Sequence, residues 1–143
     1  MNDALIVSAT RSPIARAFKG SLVGVRPTDL AAAVTRAALD AVPALDPNSV
    51  EDIILGCAQP AGEQGYNMAR VVSLLAGLED VPGTTVNRYC ASSLQALRMA
   101  FHGIRAGEGE VYLAGGVECV SRFKFGKSDG LPDTKNPRFD APG

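Results

Sequence analysis

Apolar positions along the chain fall in blocks that switch between a strand period and a helix period. Residues 4–10, A-L-I-V-S-A-T, form a nearly continuous apolar run, the pattern of a strand covered on both faces. A polar loop follows from Arg11 through Leu22. Pro27, Thr28 and Asp29 then start a helix, with Thr28 or Asp29 able to cap it. Its expected apolar face is Leu30, Ala33, Val34, Ala37, Ala38 and Ala41, and Pro43 and Pro47 end it. Residues 50–57, V-E-D-I-I-L-G-C, read as a second strand, and residues 56–65 as its glycine-rich exit. That exit lacks both G-x-x-x-x-G-K-S/T and G-x-G-x-x-G, so it reads as a loop rather than a phosphate cradle.

Asn67 opens a further helix that runs through Arg70, Val71, Val72 and Leu75 to Gly77. After the Pro82-Gly83 turn, the β-branched residues 84–86 form a short strand that runs straight into a helix. In that helix Leu94, Leu97, Phe101 and Ile104 have the spacing of one buried face. A fourth strand, E-V-Y-L-A at 110–114, ends in the turn Gly115-Gly116-Val117-Glu118. Strands alternating with helices predict an α/β fold with a mostly parallel sheet and right-handed crossovers. From Ser121 onward no strand or helix pattern is visible. The expected organisation is an incomplete α/β domain over residues 1–121, followed at 122–143 by the irregular start of an inserted loop domain.

Composition narrows the function classes. With 143 residues, 46% of them hydrophobic, the chain is long enough for one domain with a real core. A net charge of -1 and scattered Lys and Arg argue against a nucleic-acid or anionic-membrane partner. The longest apolar run, near residues 71–78, is too short to span a bilayer, and no basic region precedes an apolar leader. Three widely spaced cysteines without C-x-x-C argue against a disulfide framework or a zinc site and for a cytoplasmic setting. The single histidine, His102, leaves no His-based metal cluster, so no metal is expected.

The candidate chemistry lies at residues 84–96, T-T-V-N-R-Y-C-A-S-S-L-Q-A, where a cysteine sits at the strand-to-helix junction. Placed at the first turn of a helix, Cys90 would face unpaired backbone N–H groups and the positive end of the helix dipole. Such a setting stabilises a thiolate, and the same N–H groups can hold an oxyanion formed when sulfur attacks a carbonyl. Cys90 is therefore a candidate acyl-carrying nucleophile. A small buried hydrophobe is the other reading of a lone cysteine. Gly56-Cys57, Cys90, Gly115-Gly116 and Thr10-Arg11 all fall at expected carboxyl ends of strands, where α/β sheets collect their chemistry.

The segment V-N-R-Y-C-A-S-S-L-Q-A resembles the nucleophile segment of the thiolases. The opening A-L-I-V-S-A-T-R-S-P-I resembles their first strand and loop, G-E-Q-G-Y-N-M-A-R the loop and helix after their second strand, and A-G-G-V-E-C-V-S the turn that ends their fourth. The resemblance implies the first half of a duplicated thiolase-like fold, with helices on both faces of the sheet. It implies an acyltransferase acting between coenzyme A and acyl-CoA substrates, without a bound cofactor, through a thioester on Cys90 whose backbone N–H is an oxyanion donor. It also implies a homodimer or homotetramer, with the strand before the nucleophile at the dimer interface. The family's histidine base, second cysteine and oxyanion-hole asparagine belong to the second half, and its coenzyme A contacts mainly to the inserted domain. The chain alone is therefore expected to be inactive or nearly so.

Two departures stand out. Ala91 and Ser93 replace glycines that many thiolases carry after the nucleophile, and Cys119 stands where many have Met. The C-A-S-S-L pattern leans towards the ketosynthases, which makes a ketosynthase-like condensing enzyme the rival reading. A thiolase-fold remnant without catalysis is the non-enzyme one. Among the remaining residues, Cys57 and Cys119 read as packed thiols and Glu118 as a loop anchor through backbone N–H groups. Arg70 is expected to pair with a carboxylate or carbonyl across an interface, and Asn87 and Arg88 to organise the dimer or the loop. His102 lies about 18 Å from Cys90 along the helix axis, at 1.5 Å per residue, too far to act as its base. Lys124 and Lys127 form a basic pair that reads as a solvated loop, with coenzyme A phosphates as the functional alternative.

Overall fold

The computed structural model describes residues 3–122. The two lysines at 124 and 127 and nearly all of the expected loop domain lie outside that range. Three strands, β1 (Asp52–Gly56), β2 (Gly83–Val86) and β3 (Tyr112–Gly116), form one parallel sheet in the order β2-β1-β3. Three helices, α1 (Pro27–Asp40), α2 (Met68–Leu75) and α3 (Ser92–Ala106), cover it. The fold is α/β with helices on both faces of a parallel sheet.

The central strand explains the layering. In β1 Ile53, Ile54 and Leu55 are all buried, because alternate side chains enter different layers. Ile53 and Leu55 join a core built with Met68, Ala69 and Val72 of α2 and Ala31 and Ala32 of α1. Ile54 points the other way, to Ala96 and Ala100 of α3. Helix α2 begins where the sequence places it: Asn67 is the N-cap, its side chain accepting from the Arg70 N–H. Gly77, at φ +79°, and Gly107, also at φ +79°, follow the ends of α2 and α3 in the left-handed conformation that glycine adopts without strain.

Three expectations change. The apolar run at 4–10 forms no strand; Leu5, Ile6 and Val7 are 77%, 81% and 73% exposed. A strand needs a neighbour's N–H and C=O groups. This segment pairs with neither edge of the sheet, so its apolar appetite goes unmet among the described residues. In α1 the buried positions are Pro27, Ala31, Ala32 and Thr35, a face rotated from the expected one. Small residues there let α1 close onto α2. The N-cap is Arg26, without a side-chain cap; Asp29 instead accepts from Arg26 Nε at 2.8 Å.

The third change concerns α3. Leu94, Leu97 and Phe101 are exposed, and the residues turned to the sheet are Ser92, Ala96, Ala100 and Gly103. Size decides the orientation. A Cβ added at Gly103 would stand 2.8 Å from the Tyr112 hydroxyl oxygen, and one at Gly116 would stand 2.9 Å from the Ser93 Cβ. Only a small-residue stripe fits so close to the strands.

Candidate functional site

The parallel register brings the three strand exits level: Gly56 is opposite Val86 on one side and Gly116 on the other. The N-terminus of α3 rests on these exits. A Cβ at Gly56 would overlap the Ser93 backbone nitrogen and the Ser92 carbonyl carbon, so glycine is the residue that admits the helix there. The turn from β2 into α3 is tied by two side chains. Asn87 Oδ1 accepts from the Tyr89 N–H at 2.8 Å. Ser92 Oγ accepts from the Arg88 N–H at 2.8 Å and donates to the Tyr89 carbonyl at 2.6 Å. Between these ties Tyr89 adopts φ +48°, an uncommon backbone state for a bulky residue.

Cys90 leaves this turn exposed to solvent. The N-cap of α3 is Ala91 and its first residue is Ser92, so Cys90 lies just outside the helix, ahead of the N-cap, rather than in its first turn as expected. The Ala91 and Ser92 N–H groups are used by the Arg88 and Tyr89 carbonyls, 3.0 Å away in each case. The N–H groups of Cys90, Ser93 and Leu94 have no acceptor among the described residues. The arrangement presents a thiol and free N–H donors at one helix start, the pattern that favours an anion. A hollow of about 100 Å³ next to it is lined by Arg88, Ala91, Leu94, Gln95 and Arg98.

The other two thiols differ. Cys57 is 1% exposed, and burial together with the nearby Glu118 carboxylate pushes its thiol up to about 11. Cys119 is half-buried with Sγ 3.9 Å from the Val25 carbonyl. Glu118 does anchor loops: one carboxylate oxygen accepts from the Ala58 N–H at 2.7 Å, the other from Gln64 Nε2 at 2.7 Å. Gln64, 2% exposed, also donates to the Gln59 carbonyl at 2.8 Å and accepts from the Cys119 N–H at 2.5 Å. Asn87 Nδ2 joins this group by donating to the Ala58 carbonyl at 3.3 Å. Gln64 escaped the sequence reading altogether. Asn87 carried a legible signal, an asparagine two residues before the residue whose N–H it accepts.

Arg70 binds carbonyls, as expected, but within its own chain: those of Val81 and Glu79, each at 2.8 Å. His102 stands on the exposed side of α3 with its ring 5.3 Å from that of Phe101. Arg122 grips Glu63 through both carboxylate oxygens, which holds that carboxyl below its ordinary value, and reaches the Gly24 carbonyl at 3.3 Å. Among the described residues no group of three or more His, Cys, Asp or Glu side chains could hold a metal ion, and no helix is long and apolar enough to cross a membrane.

Comparison with known proteins bears on the same segments. The family model described as the thiolase N-terminal domain matches residues 4–138. The beta-ketoadipyl-CoA thiolase of Escherichia coli is 46% identical over 143 aligned residues, covering 98% of this chain and 35% of that protein. The beta-ketoadipyl-CoA thiolase of Pseudomonas putida is 47% identical over 132 residues, covering 90% and 33%. The 3-ketoacyl-CoA thiolase of Pseudoalteromonas translucida is 47% identical over 119 residues, covering 82% and 31%. The chain thus spans about a third of the length of the curated relatives it matches. A model match over nearly the whole sequence, with the strand-turn-helix around Cys90 inside it, establishes that the chain belongs to the thiolase family.

Proposed function

We propose that this chain supplies the acyl-carrying nucleophile of an acyl-CoA acyltransferase, with Cys90 as that nucleophile. One observation carries the reading: an exposed sulfur on the residue before the N-cap of α3, where the Cys90, Ser93 and Leu94 N–H groups have no protein acceptor among the described residues. In the degradative direction the Cys90 thiolate attacks the keto carbon of a 3-oxoacyl-CoA, and the oxygen's developing charge is met by backbone N–H groups, the Cys90 N–H among them. The bond between the keto carbon and the carbon next to the thioester then breaks. Its electron pair takes up a proton, acetyl-CoA leaves, and the acyl group remains on sulfur. The thiol of free coenzyme A takes that acyl group and returns Cys90 to the thiolate. Synthesis runs the same steps backwards from two acyl-CoA molecules.

The base that removes the protons is not in reach among the described residues, since His102 lies on the outer side of α3. The isolated chain is accordingly inactive in thiolysis; normal turnover of acetoacetyl-CoA by it would overturn that. The relatives named for beta-ketoadipyl-CoA make a 3-oxoacyl-CoA ending in a carboxylate the first substrate to assay in the whole enzyme, ahead of a fatty acyl chain. Among the described residues no further strand pairs with the outer edge of β2, which supports assembly through that strand as a homodimer or homotetramer. Competitive alkylation tests the nucleophile. With iodoacetamide at neutral pH, Cys90 is modified faster than Cys119, and Cys57 stays unmodified in the folded protein. Equal rates at Cys90 and Cys119 would leave a thiolase-fold protein without an activated sulfur.

A further inference from the structure

The Tyr89 turn that leads into Cys90 is tied to the far side of the sheet by a short series of hydrogen bonds. Glu118, beyond β3, accepts from the Ala58 N–H at 2.7 Å. The carbonyl of the same Ala58, beyond β1, accepts from Asn87 Nδ2 at 3.3 Å. Asn87, beyond β2, accepts from the Tyr89 N–H at 2.8 Å through its Oδ1. One residue from each strand exit thus takes part, and the series ends on the N–H of Tyr89, the residue before Cys90. Tyr89 sits at φ +48°, so the turn needs outside support to hold its shape. The second Glu118 oxygen is held by Gln64 Nε2 at 2.7 Å, which fixes the carboxylate itself.

We propose that Glu118 is a positioning residue for Cys90, acting through Ala58 and Asn87 to hold the Tyr89 turn and so the direction of the sulfur. The inference rests on the nucleophile reading. It separates the two arms of Glu118: the Ala58 arm serves the turn, and the Gln64 arm serves the stability of the loops. Glu118→Ala removes both. Glu118→Gln keeps an oxygen for the Ala58 N–H but turns an NH2 group against the Gln64 donor.

The test is the rate of Cys90 alkylation by iodoacetamide, with free glutathione as reference and the melting temperature measured alongside. Glu118→Ala lowers the Cys90 rate about tenfold, the order expected when a reacting group loses its alignment. Glu118→Gln restores that rate to within about twofold of wild type, because its Ala58 arm survives, while its melting temperature stays as low as that of Glu118→Ala. Asn87→Ser serves where Glu118→Ala does not fold. Serine can still accept from the Tyr89 N–H but is too short to reach the Ala58 carbonyl, and the Cys90 rate falls by a similar factor. The inference is overturned if Asn87→Ser keeps the wild-type rate, or if the Cys90 rate simply follows the melting temperature in both Glu118 variants. Failure of the nucleophile reading looks different: wild-type Cys90 reacts no faster than Cys119. In that case amide exchange at Tyr89 decides the positioning claim, with faster exchange in Asn87→Ser supporting it and unchanged exchange ending it.

Discussion

The two faces of the sheet are built on opposite plans. The face under α1 and α2 is a conventional core, where Ile53, Leu55, Met68, Val72, Leu78 and Val81 interlock with almost no exposure. Among the described residues the face under α3 has a small apolar cluster of Ile54, Ala96 and Ala100, and the helix turns Leu94, Leu97 and Phe101 outward. On the first face side-chain volume holds the layers together. On the second the backbones come close, and the absence of volume at Gly56, Gly103 and Gly116 sets the distance. Cys90 belongs to the second plan, which places a helix start directly over the strand exits.

The largest effect that would probe this contrast is on the volume-filled face. Ile53→Ala, at a site with 0% exposure, lowers stability by about 2–5 kcal/mol in urea unfolding; a loss near zero would show that the face is not packed as described. Ala96→Leu, also at 0% exposure, forces a large side chain between α3 and Ile54 and costs about 1–3 kcal/mol. Were it to stabilise, the close-approach account of α3 would be wrong.

Next in size is a pH effect on the first face. The folded state keeps the Cys57 proton up to about 11, against 9.0 ordinarily, because burial and the Glu118 carboxylate disfavour the thiolate. The contribution is therefore intact below the ordinary value and is lost as pH rises through the folded one. Cys57→Ala flattens that alkaline decline, read as urea midpoints at about pH 8 and about pH 10.5. Identical declines in the two proteins would remove Cys57 from the account. The smallest effect is at Phe101, 47% exposed on the outer side of α3, where Phe101→Ser changes the stability of this chain by no more than about 0.5 kcal/mol. A loss of several times that would mean the outer side of α3 is covered within the chain.

The sequence made the alternation of strands and helices legible through local signals: β-branched residues in β1 and β2, the proline that starts α1, the Asn67 cap of α2, and the glycines that follow α2 and α3. It misdirected where burial depends on a neighbour. The run at 4–10 has the composition of a covered strand but no partner among the described residues. Leu94, Leu97 and Phe101 mark a coherent apolar stripe, yet periodicity does not say which layer a stripe meets, and the glycines opposite admit only the small side. At the candidate site Cys90 was legible from the strand-to-helix junction. Its support was less so: Glu118 and Gln64 stand 54 positions apart, and only folding brings them together.

The bare carbons of Gly56 and Gly116 have a consequence for anyone redesigning this segment. There is no rotamer at either site to trade for another, so no graded series of substitutions can nudge the cysteine by small steps from below. Fine adjustment of where its sulfur points has to come from the flank, through Asn87, whose amide can be shortened or exchanged while the floor stays as it is.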